Sequence, residues 1–170
     1  TWWPTWPRHD LAVEQINLPS QAQYRCMNDY AAAVGAVAFW DGNSTALRRS
    51  FLSAMDRDSV VIGWGDFGEI EMITENSQMN QLLEATNFSY DLAIFSAYRS
   101  NTTLSQKTYS PITTEANKHY VCFVMSDGDN IQWFHNGFIT NSQWWGSSQR
   151  GKFPMGWGIL PSMKDLGQTI

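Results

Sequence analysis

Apolar and polar positions along this chain come in blocks. Short apolar runs are closed by Gly, Asp or Pro, and between them lie longer stretches with apolar residues three or four apart. This pattern predicts strands alternating with helices. Residues 20–34 read as a helix that Ser20 can cap after Pro19. Residues 36–40 read as a buried strand ending at Asp41 and Gly42. Asn43 or Ser44 can cap a second helix, on which Leu47, Phe51 and Met55 share one face. The next strand is 60–64, closed by Gly65 and Asp66, followed by a helix over 69–83. Residues 92–96 are a third strand candidate. The polar stretch 101–117, with Pro111 inside it, reads as a long loop. Residues 120–126 make the clearest strand, dense in β-branched and aromatic side chains, and they stop abruptly at Asp127-Gly128-Asp129-Asn130. A helix-like stretch follows, then a fifth strand at 155–160 stopped by Pro161. Near the start, Trp2, Trp3 and Trp6 interleave with Pro4 and Pro7 without a period. Residues 1–19 therefore read as an extended N-terminal linker to a domain spanning 20–170.

Strands apolar on both faces and separated by helices predict an α/β fold with parallel strands buried under helices. Acidic and aromatic residues gather at the strand ends: Trp40-Asp41, Trp64-Gly65-Asp66 and Ser126-Asp127. In such sheets ligands bind beyond the carboxyl ends of the strands. That layout suits a β/α barrel, but a barrel takes about 250 residues and eight strands. The expectation is a partial β/α-barrel-like domain, a fragment, or an open α/β sheet.

Composition narrows the partners. The chain has 170 residues, with 11 basic against 16 acidic and a formal charge of −5, so no basic footprint for nucleic acid is expected. The longest apolar run, 31–40, is too short to span a bilayer. Nine Trp in this length is unusual, and their rigid amphipathic rings suit sugar faces as well as cores. No signal peptide is present in these residues. Three sequons, at Asn43, Asn87 and Asn101, are compatible with export. Cys26 and Cys122 are too few for a disulfide scaffold, and Cys122, inside a strand-like run, reads as a buried free thiol.

The constellation richest in chemistry is Asp127-Gly128-Asp129-Asn130. Carboxylates at i and i+2 can point the same way at a strand end, and Gly128 allows a sharp turn between them. Such a pair can serve general acid/base work or bind a hard cation. The plain alternative is a turn in which Asp127 and Asn130 satisfy backbone amides. Asp66 and Glu69 flank the end of the 60–64 strand, and either could face Asp127 across a cleft if the strands are neighbours. Asp41 and Glu71 read better as a turn residue and a solvated helix start. Trp133, Trp144 and Trp145 follow the acidic turn in polar surroundings and suit a sugar platform, whereas Trp64 and Trp157 lie in apolar runs and fit packing as well as stacking. Arg150 can orient a carboxylate or a hydroxyl. His135 lies near the acidic turn and His119 opens the strand. No His or Cys spacing predicts a metal, and no cofactor is expected.

The run HYVCFVMSDGDNIQW at 119–133 resembles the hallmark strand of the GxGYxYP glycoside hydrolase family. The resemblance extends to VVIGWG at 60–65, NFSYDLAIFS at 87–96 and RGKFPMGWGILPS at 150–162, and covers most of the chain from about residue 36. The naming Gly-x-Gly-Tyr-x-Tyr-Pro motif is absent from these 170 residues. The resemblance implies a barrel-like catalytic region, truncated here, in a secreted or cell-surface protein acting on a polysaccharide or oligosaccharide. Asp127, Asp129, Asp66 and Glu69 are then the candidate catalytic carboxylates. Asn130, Trp133, Trp64, Trp157 and Arg150 are the candidate substrate contacts. Two alternatives stand beside hydrolysis: glycan capture without turnover, and a metal-dependent carbohydrate enzyme using the acidic turn.

Overall fold

The computed structural model describes residues 8–16, 26–40 and 44–169. The expectations for Trp2, Trp3, Trp6, Ser20, Asp41 and Asn43 lie outside the described residues.

Four strands form one sheet: β1 (Leu11–Glu14), β2 (Val37–Phe39), β3 (Val60–Gly63) and β4 (Leu82–Ala85), in the order β2-β1-β3-β4. Every pairing is parallel, with Val13 opposite Ala38 on one side and Ile62 on the other, and Val61 opposite Leu83. The α/β class and the parallel strands are as the sequence predicts. The barrel order is not. In a barrel each strand lies beside the next in sequence, whereas here β1 sits between β2 and β3, the order of a doubly wound open sheet. β1 also lies within the stretch read as a linker, and it is buried along its whole length.

Helices cover both faces of this sheet. α1 (Asn28–Val34) closes at Gly35, whose φ of 70° supplies the left-handed cap. α2 (Thr45–Leu52) is capped by Ser44, whose hydroxyl accepts from the Leu47 amide at 3.3 Å. α3 (Glu69–Gln78) makes the crossover from β3 to β4, and α4 (Leu92–Ala97) follows β4. Side chains alternate across a strand, so Leu11 and Val13 enter one core with Met27, Tyr30, Ile62 and Leu92, while Ala12 and Val61 enter another with Phe51, Leu52 and Met55. Glu14 shares the parity of Ala12 and meets α2 there. It takes a two-pronged ion pair from Arg48 at 2.8 and 2.9 Å, and Glu75 of α3 accepts from the same guanidinium at 2.8 Å.

Residues 98–123 carry no helix or strand, in line with the predicted long loop, and nearly all are exposed. Beyond them β5 (Val124–Met125) pairs in parallel with β6 (Gly156–Trp157), flanked by α5 (Ile131–His135) and α6 (Met163–Leu166). Ile131, Phe134, Phe138, Met163 and Leu166 join the first core, so the C-terminal elements pack onto the same sheet face as α1 and α4. Cys26 and Cys122 are both free, but Cys122 is exposed, because the 120–126 strand contracts to β5 and Cys122 lies before its first paired residue. Among the described residues no helix is long and apolar enough to cross a membrane.

Candidate functional site

The acidic turn leaves the C-terminal end of β5. Asp127 takes a left-handed φ of 63° and Gly128 is buried against the chain that follows β6. A Cβ on Gly128 would lie 1.6 Å from the Gly158 carbonyl oxygen, so glycine is required there for close approach. The left-handed residue is Asp127 rather than Gly128. Asp58, Asn80 and Asp91 also adopt positive φ in this chain, a conformation that short polar side chains tolerate. Asn130 spends its side-chain oxygen on α5, accepting from the Gln132 amide at 3.0 Å as an N-cap. Part of the turn is thus structural. Asp127 and Asp129 remain exposed.

Asp127 opens onto a pocket of about 120 Å³ that it shares with Ser126, Trp133, Phe138 and Trp144. Trp133, 37% exposed, meets Trp144 edge-on with ring centroids 4.4 Å apart. Through Met125 and Trp144 this pocket adjoins a wider cleft of about 380 Å³, walled by Trp145, Phe153 and Trp157 with Gln143, Gln149 and Arg150. Trp145 and Trp157 pack edge to face at 5.1 Å, and Phe138 meets Trp157 the same way at 5.8 Å. The guanidinium carbon of Arg150 lies 4.3 Å from the centre of the Trp145 ring. Trp157 therefore both packs and lines the cleft. A third cavity, about 650 Å³, lies beyond Phe138 and Trp145 and is lined chiefly by apolar groups such as Leu104, Ile139, Ile159 and Met163.

The structure thus brings Asp127 and Trp133 together in one pocket, and Trp157 and Arg150 in the next. Asp129 stands beside them on the turn. Asp66, Glu69 and Trp64 follow β3 in the other sheet, and none of them lines these three cavities. Asp66 is half-buried and Glu69 is an exposed residue at the start of α3. Sequence reasoning did not single out Phe138, Phe153, Gln143 or Gln149. The available signal was the Gln143-Trp144-Trp145 adjacency, which sets an amide beside two indoles.

His135 has a structural partner. Its Nδ1 is 2.8 Å from the Ser89 hydroxyl, its ring packs on Phe95 at 4.8 Å, and burial lowers its pKa below the ordinary imidazole value. Ser89 also anchors Cys26, whose thiol donates to the Ser89 carbonyl at 3.2 Å and whose pKa burial raises. Gln132 of α5 accepts from the Asn87 amide at 2.9 Å, tying the helix after the acidic turn to the loop before α4. Ser162 donates to Glu84 of β4 at 2.8 Å; burial raises that carboxyl's pKa and the hydrogen bond opposes the shift. Among the described residues no three His, Cys, Asp or Glu side chains gather as a metal-binding group.

Comparison with known proteins divides the chain in a similar way. Residues 9–97 match a family model described as "GxGYxYP third domain", and residues 117–170 match one described as "GxGYxYP putative glycoside hydrolase C-terminal domain". A solved structure described as that of a "putative hydrolase" from Bacteroides thetaiotaomicron superposes with a TM-score of 0.78 at 28% identity, covering 98% of this chain and 32% of that one. The chain therefore spans less than half the length of that protein. No curated protein sequence matches it.

Proposed function

This chain belongs to the GxGYxYP family, and on that premise we propose that it forms part of a glycoside hydrolase acting on a polysaccharide or oligosaccharide. The observation that carries the reading is Asp127, held at the C-terminal end of a parallel strand, opening onto a pocket walled by Trp133 and Trp144 that continues into an aromatic cleft. Indole faces bind the apolar C–H faces of pyranose rings, and strand ends are where parallel sheets present reacting groups. In this reading β5 and β6 belong to a β/α-barrel-like catalytic region, and the four-stranded sheet is the open layer packed against it. Asp127 serves as acid/base or nucleophile. Asp129, Asp66 and Glu69 are the candidates for the partner carboxylate, which stands about 5 Å away in a retaining enzyme and about 6.5–9.5 Å away in an inverting one. A secreted or cell-surface location goes with a polymeric substrate.

A second reading, glycan capture without turnover, is favoured by one observation: among the described residues Asp127 is the sole carboxylate lining its pocket. One experiment separates the two. Reducing-sugar release is measured over a polysaccharide panel with the natural full-length protein, its Asp127→Asn, Asp129→Asn, Asp66→Asn and Glu69→Gln variants, and a chelator in parallel. Hydrolysis predicts release that survives chelation and falls by about 10²-fold or more in Asp127→Asn. Glycan binding with no release, or release indifferent to all four substitutions, rejects the hydrolase assignment.

A further inference from the structure

We propose that the cleft beside Asp127 selects an acidic glycan, with Arg150 receiving a uronate carboxylate. The inference rests on the carbohydrate reading above and deepens it. The chain carries a formal charge of −5, yet among the described residues no Asp or Glu lines the wider cleft, and the charged side chain in its wall is Arg150.

Three other arginines are matched to acids, while Arg99 donates to the backbone carbonyls of Ser96 and Asp165 instead. Arg8 pairs with Asp10, Arg48 with Glu14 and Glu75, and Arg49 with Glu75. Among the described residues the Arg150 side chain has no ion pair and no hydrogen bond. Its contact is the face of Trp145, 4.3 Å from guanidinium carbon to ring centre. A cation–π contact positions the guanidinium while using none of its five N–H donors. The fork remains available for the two-pronged bond that a planar carboxylate accepts.

The remainder of the cleft fits a sugar that carries such a group. Trp144, Trp157 and Phe153 supply apolar ring surface, and the amides of Gln143 and Gln149 can answer hydroxyls. Arg150 is exposed and keeps its hydration beside a neutral sugar, whereas a carboxylate adds a charge-assisted, two-pronged bond, so the preference comes from that added bond.

The test is titration calorimetry of the natural full-length protein with oligogalacturonate, oligomannuronate and oligoglucuronate, each against its carboxyl-reduced neutral form. A carrageenan oligosaccharide supplies sulfate in place of carboxylate. At least one uronate is expected to bind about tenfold tighter than its reduced form, with the preference shrinking as salt rises. Arg150→Gln should bring the two forms to equal affinity, and Arg150→Lys should recover only part of the difference. Equal binding of neutral and acidic forms, a preference that survives Arg150→Gln, or stronger Arg150-dependent binding of the sulfated probe overturns the uronate assignment and leaves the carbohydrate reading standing. No binding of any probe by a folded protein overturns both.

Discussion

At Gly128 the missing side chain is what lets the acidic turn lie against the Gly158 carbonyl. A methyl group there has no flexible neighbour to displace, since the atoms it would meet are backbone atoms of Gly158 and Ile159. Gly128→Ala is expected to push the turn off the end of β6 and to cost about 1–3 kcal/mol or more, read as a lowered urea midpoint. Asp127 moves with the turn, so glycan binding should fall alongside stability. A second residue-scale expectation concerns His135. Burial holds its pKa below the ordinary value of about 6.5. As pH falls through that ordinary value the unfolded chain takes up a proton that the folded chain refuses, so the unfolded state gains. Stability is untouched by this group above that value and declines below it until the folded imidazole also titrates. Unfolding midpoints measured from about pH 8 down to about pH 5 should therefore fall more steeply in the natural protein than in His135→Gln. Equal slopes would show that His135 does not carry the effect.

The elements differ in how far the sequence announces them. β2, β3, β6 and the acidic turn follow from apolar runs closed by Gly, Asp or Pro, and α2 follows from Ser44 and its periodic face. β1 is hidden because its fourth residue is Glu14, and a charge at the end of a four-residue run does not look like a central strand. It is buried because Arg48, 34 residues away, answers it, which no local pattern reveals. The helix expected over 69–83 overlaps β4 at Leu82 and Leu83, where pairing with β3 overrides the local helix preference. The reverse holds for α4, where a short apolar run suits helix and strand equally. In the site, Asp127, Trp133, Trp157 and Arg150 were legible as residue types. The stacking of Arg150 on Trp145 was not, because it depends on the successive turns that link the two residues. The Arg48 network belongs to this scale too. Arg48→Met would take the guanidinium away from the buried Glu14 carboxylate, while Glu75 keeps its pair with Arg49. It is expected to cost about 3–5 kcal/mol. Pairing Arg48→Met with Glu14→Gln and Glu75→Gln should recover part of that loss in chemical denaturation.

Across the whole molecule the two family-matched stretches share one core. Phe134, Phe138, Met163 and Leu166 from the second pack with Leu11, Val13, Ile62 and Leu92 from the first. A chain cut after residue 97 should bare that surface and bind a hydrophobic dye while keeping its parallel sheet, a result checked by fluorescence and circular dichroism. The 170-residue chain has its own exposed apolar strip where the 120–126 run meets β5: Val121 is 75% exposed, Phe123 57% and Val124 62%. Unpaired apolar strand edges associate, so this chain in isolation is expected to scatter light on concentration. Val121→Lys with Phe123→Lys should suppress the scattering, and a clear monomeric solution of the unaltered chain at high concentration would count against it.

The hydrogen bond between Ser89 and His135 also sets an order of events for the Asn87 sequon. Ser89 supplies the hydroxyl of that acceptor site, and in the folded chain it is 0% exposed with its oxygen 2.8 Å from the His135 ring. Asn101 and Thr103 of the neighbouring sequon lie exposed on the long loop. If the chain passes a glycosylating enzyme, Asn101 can be modified at any time. Asn87 can be modified only on a nascent chain, before α5 docks, so its occupancy would report how quickly the two halves of the molecule come together.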